Sequence, residues 1–591
     1  MSGWLAIARL DGGPVDREDV ERCRERLRAR GPHGEALVVD GSAALGLTVL
    51  DTGESVPTAR EPVRCGRLIV TGHALITARD EAARTLGLSP VELAAASDLE
   101  LLARALERWG EDVPARVFGE YAAAAWDAQA RRLLVVRDAV GVRPAYVAHL
   151  GGFAIASNTL DAVRAHPAVS CRLDDEALLE FLLHGSIVGE GRTPFADVRL
   201  SRKGGAWIAT PEGAHSHVAW TLKPPSIDRT TPWRELAMRW RAALDVAVAD
   251  RLRGAKASLS LSGGLDSTAI AASAARLGTD RLYAFTDIMS ELATGRDQEG
   301  DFAALAARHL GIRHEVFVIG KPPSDEPIAW TPIANATPAA NPLNVPEPGS
   351  VLAMAAHGPV HLHGEGGDEI WRTTELTDLL GLEPPGALLR GVVETLALGQ
   401  RPALGLNVRG HLKGTRKKPR LPPWLSQHLA HRFDLEALLA DGRRGLVPRV
   451  RGPRAGSLKG LGIALWQSCF AEYDEHGALG GYVLRLPLLD PRVVNAALSL
   501  PPLPGTVAKL AVRHAMGGRL PQALLTRAKT PLLLEEERYR PTKLWARLPA
   551  APELAHFVDV ARLQSDVAEH GASPEALRAI QVWRWLAGRA P

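Results

Sequence analysis

The 591 residues exceed what one ordinary hydrophobic core accommodates, and 46% apolar with 23% charged residues is the balance of a globular chain rather than a disordered one. A formal net charge of +3 is too slight to mark a nucleic-acid binder, and four scattered cysteines without a C-x-x-C pair speak against a zinc site or a disulfide framework and fit a reducing cytoplasm. The opening MSGWLAIARLDGG has a five-residue apolar run with no basic region before it, too short for a secretory signal; no stretch reaches the roughly 18 apolar residues of a membrane span, so a cytoplasmic protein is expected.

Taken in chain order, residues 1 to about 205 alternate short β-type runs, Arg67–Thr71, Arg132–Val136 and Phe153–Ala156, with helical patterns at Val20–Arg30 and Asp98–Trp109. That block predicts mixed α/β structure with substantial antiparallel sheet. Around 222–232 the chain is rich in Pro and Thr, which reads as a linker. An amphipathic helix at Trp233–Arg253 follows, then a buried strand at Ala257–Leu261 and a helix at Asp266–Leu277. Strands at Leu282–Ile288, Glu315–Ile319 and Pro359–His363, with a helix at Glu299–Leu310, continue the alternation and predict a doubly wound parallel sheet. Beyond Trp371 the pattern is mostly helical. Arg409–Arg420 carries six Lys or Arg in twelve residues and Gly442–Gly460 is similarly basic, which predicts solvated, mobile insertions.

Two loops carry the chemistry. Ser262, Gly263, Gly264, Leu265, Asp266 and Ser267 stand between a predicted strand and a predicted helix, where paired glycines let backbone approach a ligand and the helix start favours an anion. The G-K-[ST] ending of a Walker A loop is absent. The second loop, His363, Gly364, Glu365, Gly366, Gly367, Asp368 and Glu369, follows another predicted strand. In a parallel sheet the two loops share one crevice, so Asp266 and Asp368 are candidate Mg²⁺ ligands against phosphate oxygens.

The first loop resembles that of the PP-loop pyrophosphatases, which split ATP between the α and β phosphates. Over nearly the whole chain the resemblance is to the asparagine-synthetase family: Leu484 to Asp490 (LRLPLLD), then Lys509 and Arg513, Leu520 and Pro521, and Arg527 and Lys529 follow its C-terminal pattern. Arg30 to Pro32, Ser97 and Asp98, Gly119 to Asp127, and Arg137, Asp138, Gly141 and Pro144 follow its glutaminase domain. This implies an Ntn-hydrolase-like αββα domain over 1–205 and a PP-loop synthetase domain with a helical C-terminal part over 206–591. It also implies ATP on Leu261, Ser262, Gly263, Gly264, Asp266, Ser267, Thr286, His363 and Gly364. Lys529 would stabilise the charge developing in the transition state, and Glu365 or one of Glu472 and Glu475 would accept a proton.

The glutaminase chemistry itself looks lost. The family's nucleophilic cysteine is replaced by Ser2, its N-G-E stretch by Thr71, Gly72 and His73, and an arginine before Leu47 by Gly46. Two branches of the family work without ammonia, the β-lactam synthetases and the lasso-peptide cyclases. The retained Glu365, where β-lactam synthetases tend to carry tyrosine, and the basic insertions favour the cyclase. Its expected partners are a precursor peptide, a leader peptidase and a leader-recognition protein. The alternatives are a β-lactam-synthetase-like cyclase of small molecules and a silent peptide-binding scaffold.

Overall fold

The computed structural model describes residues 2–289, 299–319, 337–338, 348–404, 421–446, 450–528, 552–570 and 573–588. Two antiparallel six-stranded sheets face each other in the N-terminal part. One runs Arg199–Leu200, Tyr146–Leu150, Phe153–Ser157, Gly3–Arg9, Ala43–Thr48, Glu35–Asp40 from edge to edge. The other runs Gly213–Val218, Gly205–Thr210, Arg132–Arg137, Gly119–Asp127, Leu68–Ile76, Val63–Cys65. The small side chains Ala122 to Ala125 and Ala6, Ala8 and Ala156 let the sheets approach over a shared core with Trp4 and Trp126. Helices cover the outer faces, including Asp98–Trp109, whose start is set by a capping box between Ser97 and Glu100. The layering is that of an αββα domain.

The hairpin Gly205–Val218 extends this second sheet by pairing with Arg132–Arg137, so the N-terminal unit ends near 218 and not at 205. Buried Ala206, Ile208 and Ala209 explain why the hairpin stays with that sheet. The predicted helix at Val20–Arg30 spans Arg17–Glu25 and is followed by a short 3₁₀ turn at Arg28–Arg30. The Pro- and Thr-rich linker lacks regular structure, as expected, but is held down by an Arg229–Glu383 ion pair of 2.8 Å.

The second unit is built on five parallel strands in the order Arg313–Ile319, Leu282–Met289, Ala257–Ser260, Val360–Leu362, Val483–Arg485. The helices Trp233–Leu252 and Leu265–Ala275 pack on it through Trp240, Leu244, Ala269 and Ile270. The basic stretch 442–460 is not a solvated insertion throughout. Ala455–Gly462 is helical, and Arg454 is buried, donating to the carbonyls of Ile370 at 2.5 Å and Leu500 at 3.5 Å. Arg409–Arg420 lies outside the described residues.

The single domain expected over 206–591 is divided by its packing. Helices Gln427–Arg432, Pro552–Phe557, Val560–His570 and Pro574–Ala587 join the outer core of the N-terminal unit. The reason is local: in Asp175–His184 the consecutive residues from Ala177 to Leu183 are all buried, so that helix needs partners on more than one face. Arg578 donates to the Leu183 carbonyl at 2.7 Å, closing that helix's C-terminal end.

The two units meet across buried charges. Glu120, on a strand of the second N-terminal sheet, pairs with Arg143 at 2.6 Å and with Arg251 at 2.7 Å, and accepts the Leu486 N–H at 3.3 Å. Arg251 also reaches Asp490 at 2.8 Å, Arg485 pairs with Glu54, and Arg30 pairs with Asp474 at 2.6 Å. Burial alone would raise the Asp490 carboxyl, but the Arg492 hydrogen bond and the charge of Arg251 hold it down to about 2, against an ordinary 3.8. A folded pKa below the unfolded one contributes stability that is complete above about pH 4 and lost as pH falls toward 2. Glu120→Gln, which removes the buried charge facing Arg143 and leaves Arg251 with Asp490 alone, is expected to lower unfolding stability by about 3–5 kcal/mol in urea denaturation. Asp490→Asn is expected to be less stable at neutral pH and to lose less further stability than wild type between about pH 4 and 2.

Candidate active site

Ala257–Ser260 leads into the first glycine loop and Val360–Leu362 into the second, and these two strands are neighbours in the sheet. The chain leaves Ala257–Ser260 toward Leu282–Met289 on one side and returns to Val360–Leu362 on the other. That reversal of strand order is where parallel sheets open a crevice for a ligand. The cleft there has a volume of about 1360 Å³ and is lined by Ser262 to Asp266, Asp368, Lys509 and Arg527 among others.

The loops touch because glycine permits it. Gly263 has φ +65°, and a Cβ there would lie 2.7 Å from the Ala303 nitrogen. A Cβ at Gly367 would lie 2.3 Å from Cγ of Asp266, and one at Gly364 would lie 3.3 Å from the Ser267 nitrogen. Hydroxyls tie the first loop together: Ser267 Oγ accepts from the Ser262 N–H at 3.2 Å and lies 3.1 Å from Ser262 Oγ. Thr286 Oγ1 donates to the Leu261 carbonyl and lies 2.8 Å from His314 Nε2, so it fixes the strand end from which the loop departs. Gly264 caps the helix Leu265–Ala275 without a side-chain hydrogen bond, leaving its first amides for a ligand.

Asp266 and Asp368 are brought together as the sequence predicts, and Lys509 joins them. Its Nζ contacts Asp266 Oδ2 and lies 2.8 Å from Asp368 Oδ1. Burial would lower the Lys509 pKa, but the two carboxylates outweigh it and raise it. Among the described residues no cluster of three or more His, Cys, Asp or Glu side chains could hold a metal by itself. Two hard carboxylates suit Mg²⁺ in the way it usually binds, with phosphate oxygens and water completing the shell. Arg527 donates to the Gly263 carbonyl at 2.9 Å and stacks its guanidinium 4.5 Å from the Phe302 ring. Arg513 donates to the carbonyls of Ala508 at 2.7 Å and Arg527 at 2.8 Å, joining the two cationic segments.

The proposed proton acceptors separate. Glu365 Oε1 accepts from the Tyr473 hydroxyl at 2.7 Å and lies 4.0 Å from His363 Nδ1. Glu472 is buried on the same helix, Leu465–Gly480, and with Glu365 helps burial push the Tyr473 phenol up. Glu475 instead lies toward the N-terminal unit, where it and Asp474 add to the burial that raises the Tyr146 phenol. Burial lowers the pKa of His363. Lys529 lies outside the described residues. Sequence reasoning treated Lys509 only as part of a pattern and missed its place between the carboxylates; Tyr473 carried no signal at all.

In the N-terminal unit, Ser2 Oγ accepts the Leu50 N–H at 3.0 Å and the Asn158 side chain donates to the Ser2 carbonyl at 3.0 Å. Thr71 Oγ1 donates to the Gly46 carbonyl at 2.8 Å, so two of the altered positions satisfy each other. His73 Nε2 is buried without a hydrogen-bond partner, and burial with the nearby Arg143 holds its pKa well below the ordinary range. Asp98 accepts the Ile76 N–H at 2.8 Å and pairs with Arg79 and, at 2.6 Å, with Arg253 from the other unit.

Residues 239–587 match the family described as asparagine synthase, and residues 1–220 the one described as glutamine amidotransferase domain. A Mycobacterium tuberculosis protein named as a glutamine-hydrolysing asparagine synthetase is 27% identical over 674 aligned positions, covering 99% of this chain and 96% of that protein. A glutamine-hydrolysing asparagine synthetase of Bacillus subtilis is 25% identical over 287 positions, 46% of this chain and 45% of that one. Among solved structures, the glutamine phosphoribosylpyrophosphate amidotransferase of B. subtilis is 15% identical and covers 53% of this chain and 65% of its own, with a TM-score of 0.27. That likeness is too slight to bear on function.

The glycine contacts make a differential prediction. Gly367→Ala drives a methyl into the Asp266 carboxylate and should cost about 1–3 kcal/mol of stability together with most nucleotide affinity. Gly264→Ala, whose Cβ would meet only Ser262 Oγ at 3.2 Å, should cost less on both counts. Thermal unfolding and calorimetric titration with Mg²⁺ and ATP on both variants measure the difference.

Proposed function

The chain belongs to the asparagine synthase family of ATP-dependent, AMP-forming carbon–nitrogen ligases, and from that premise we propose that it closes an amide within a single substrate, the macrolactam ring of a lasso-peptide precursor. The observation that carries this reading is the contrast between its two halves. The synthetase cleft keeps both glycine loops, the carboxylate pair and two cationic segments, whereas in the N-terminal unit Thr71 bonds to Gly46, Asp98 pairs with Arg253, and His73 is buried without a hydrogen-bond partner. A ligase of this kind without glutaminase chemistry takes its amine from elsewhere, and a substrate's own amine is the simplest source.

The residues divide the work as follows. Ser262 to Ser267 and the amides at the start of Leu265–Ala275 receive the triphosphate of ATP. Asp266 and Asp368 would hold Mg²⁺, which supplies charge neutralisation at the departing pyrophosphate. The substrate carboxylate attacks the α phosphorus and takes AMP; the substrate amine then attacks the acyl carbon and AMP leaves. Glu365, held by Tyr473, accepts the proton the amine must lose. Lys529, by the family resemblance, stabilises the charge that develops as the tetrahedral centre forms.

The preference for a peptide over a small β-lactam precursor rests on Glu365, since part of the basic stretch 442–460 is folded into the synthetase core. A leader peptidase and a leader-recognition protein are the partners this reading requires. A silent scaffold is disfavoured by the intact cleft.

The test combines purified protein, ATP, Mg²⁺ and candidate precursor peptides. AMP, pyrophosphate and a product lighter than its linear core by one water are expected; ADP as product would sink the adenylating mechanism. Glutamate should not appear from glutamine, and Ser2→Cys alone should not restore that reaction. Glu365→Gln is expected to lower cyclised product about 10²- to 10⁴-fold while substrate-dependent exchange of pyrophosphate into ATP continues. Loss of exchange and product together would move Glu365 out of the proton-accepting role.

A further inference from the structure

The two carboxylates assigned to the divalent cation are both paired to one side chain of the protein. Lys509 Nζ contacts Asp266 Oδ2 and Asp368 Oδ1, so the two oxygens flank a single nitrogen. The Lys509 side chain is 14% exposed, and the carboxylates are 20% and 52% exposed, so water screens the cluster only in part. An ammonium and Mg²⁺ compete for that position: Lys509 already holds one oxygen of each carboxylate, and like charges a few ångströms apart repel strongly where screening is weak.

The lysine is also placed with unusual definition. Ala508 and Lys509 take successive left-handed conformations, φ 47° and 55°, which non-glycine residues adopt only when their surroundings enforce it. Arg513 braces the turn by donating to the Ala508 carbonyl, and its bonds to the carbonyls of Leu525 and Arg527 tie the same turn to the segment lying against Gly263.

We infer that Lys509 is a positioning residue that competes with the divalent cation for the Asp266–Asp368 pair, so that metal enters with the nucleotide and not before it. ATP phosphate oxygens give the ammonium a second set of partners and give the metal its remaining ligands, so the nucleotide relieves the competition from both sides. A free divalent ion meets a pair whose charge the ammonium has already half offset. The inference rests on the adenylating reading of the two loops and adds an order of binding to it.

The probe is Mn²⁺ alone, followed by paramagnetic resonance of the free ion, on the full chain with and without a non-hydrolysable ATP analogue. Wild type should bind Mn²⁺ weakly alone and much more tightly with the analogue. Lys509→Met, of similar length but uncharged, should bind Mn²⁺ alone at least about tenfold more tightly than wild type and show less gain from the analogue. Lys509→Arg should stay as weak as wild type, because the charge is kept. A Lys509→Met chain that folds only when Mn²⁺ is added supports the inference equally, since the ion then replaces the ammonium. A Lys509→Met chain that Mn²⁺ neither stabilises nor binds more tightly than wild type overturns it. Wild type that fails to bind Mn²⁺ even with the analogue would overturn both this inference and the adenylating reading.

Discussion

The Glu120 carboxylate, buried between Arg143 and Arg251, is the interaction on which the arrangement of the two halves depends. A charge removed from water is tolerated only when it is fully paired, and here the partners come from both units, with the Leu486 N–H completing the set. The geometry is therefore specified tightly: a shift of either unit would strand Glu120 or an arginine. Arg251 passes the constraint to Asp490, and Arg485 passes it to Glu54. The strand Val483–Arg485 and the turn that follows it are thereby fixed against the N-terminal sheet.

This interface accounts for an N-terminal half that retains its layers while its pocket has changed. The alanine-rich faces of the two sheets and the pairing of Asp98 with Arg253 are requirements of packing and docking, and they persist whether or not a ligand binds. Helix Asp175–His184 adds a further requirement, since it gathers the C-terminal helices onto the same unit. Removing the N-terminal half would expose buried charges and apolar surface on the synthetase half. Its structural service follows from that alone.

At the synthetase cleft the governing constraint is close approach. Glycines at 364 and 367 let two loops on adjacent strands come within contact, which sets Asp266 and Asp368 around one cation, and Gly263 lets the first loop lie against the helix Glu299–Leu310. Glu365 stands in the same loop as Asp368 and is held by Tyr473 from the helix Leu465–Gly480.

The sequence by itself determined the elements and the two loops. Period-2 and period-3.6 apolar patterns, paired glycines and an N-terminal capping box are written in windows of a few residues, and strand, loop and helix in Ala257–Ala275 follow within a residue or two. The adjacency of the loops was also legible, because strand–helix alternation implies a parallel sheet and its crevice. What only the tertiary structure decided are contacts between residues far apart in the chain: Lys509 with Asp266, 243 positions away, and Arg30 with Asp474, 444 positions away. The division of the C-terminal helices, the place of the 205–218 hairpin and the separation of Glu475 from Glu365 belong to the same class. A lysine or a glutamate reads identically in sequence whether it faces water or a buried partner, and only the packing of distant segments determines which charge it meets.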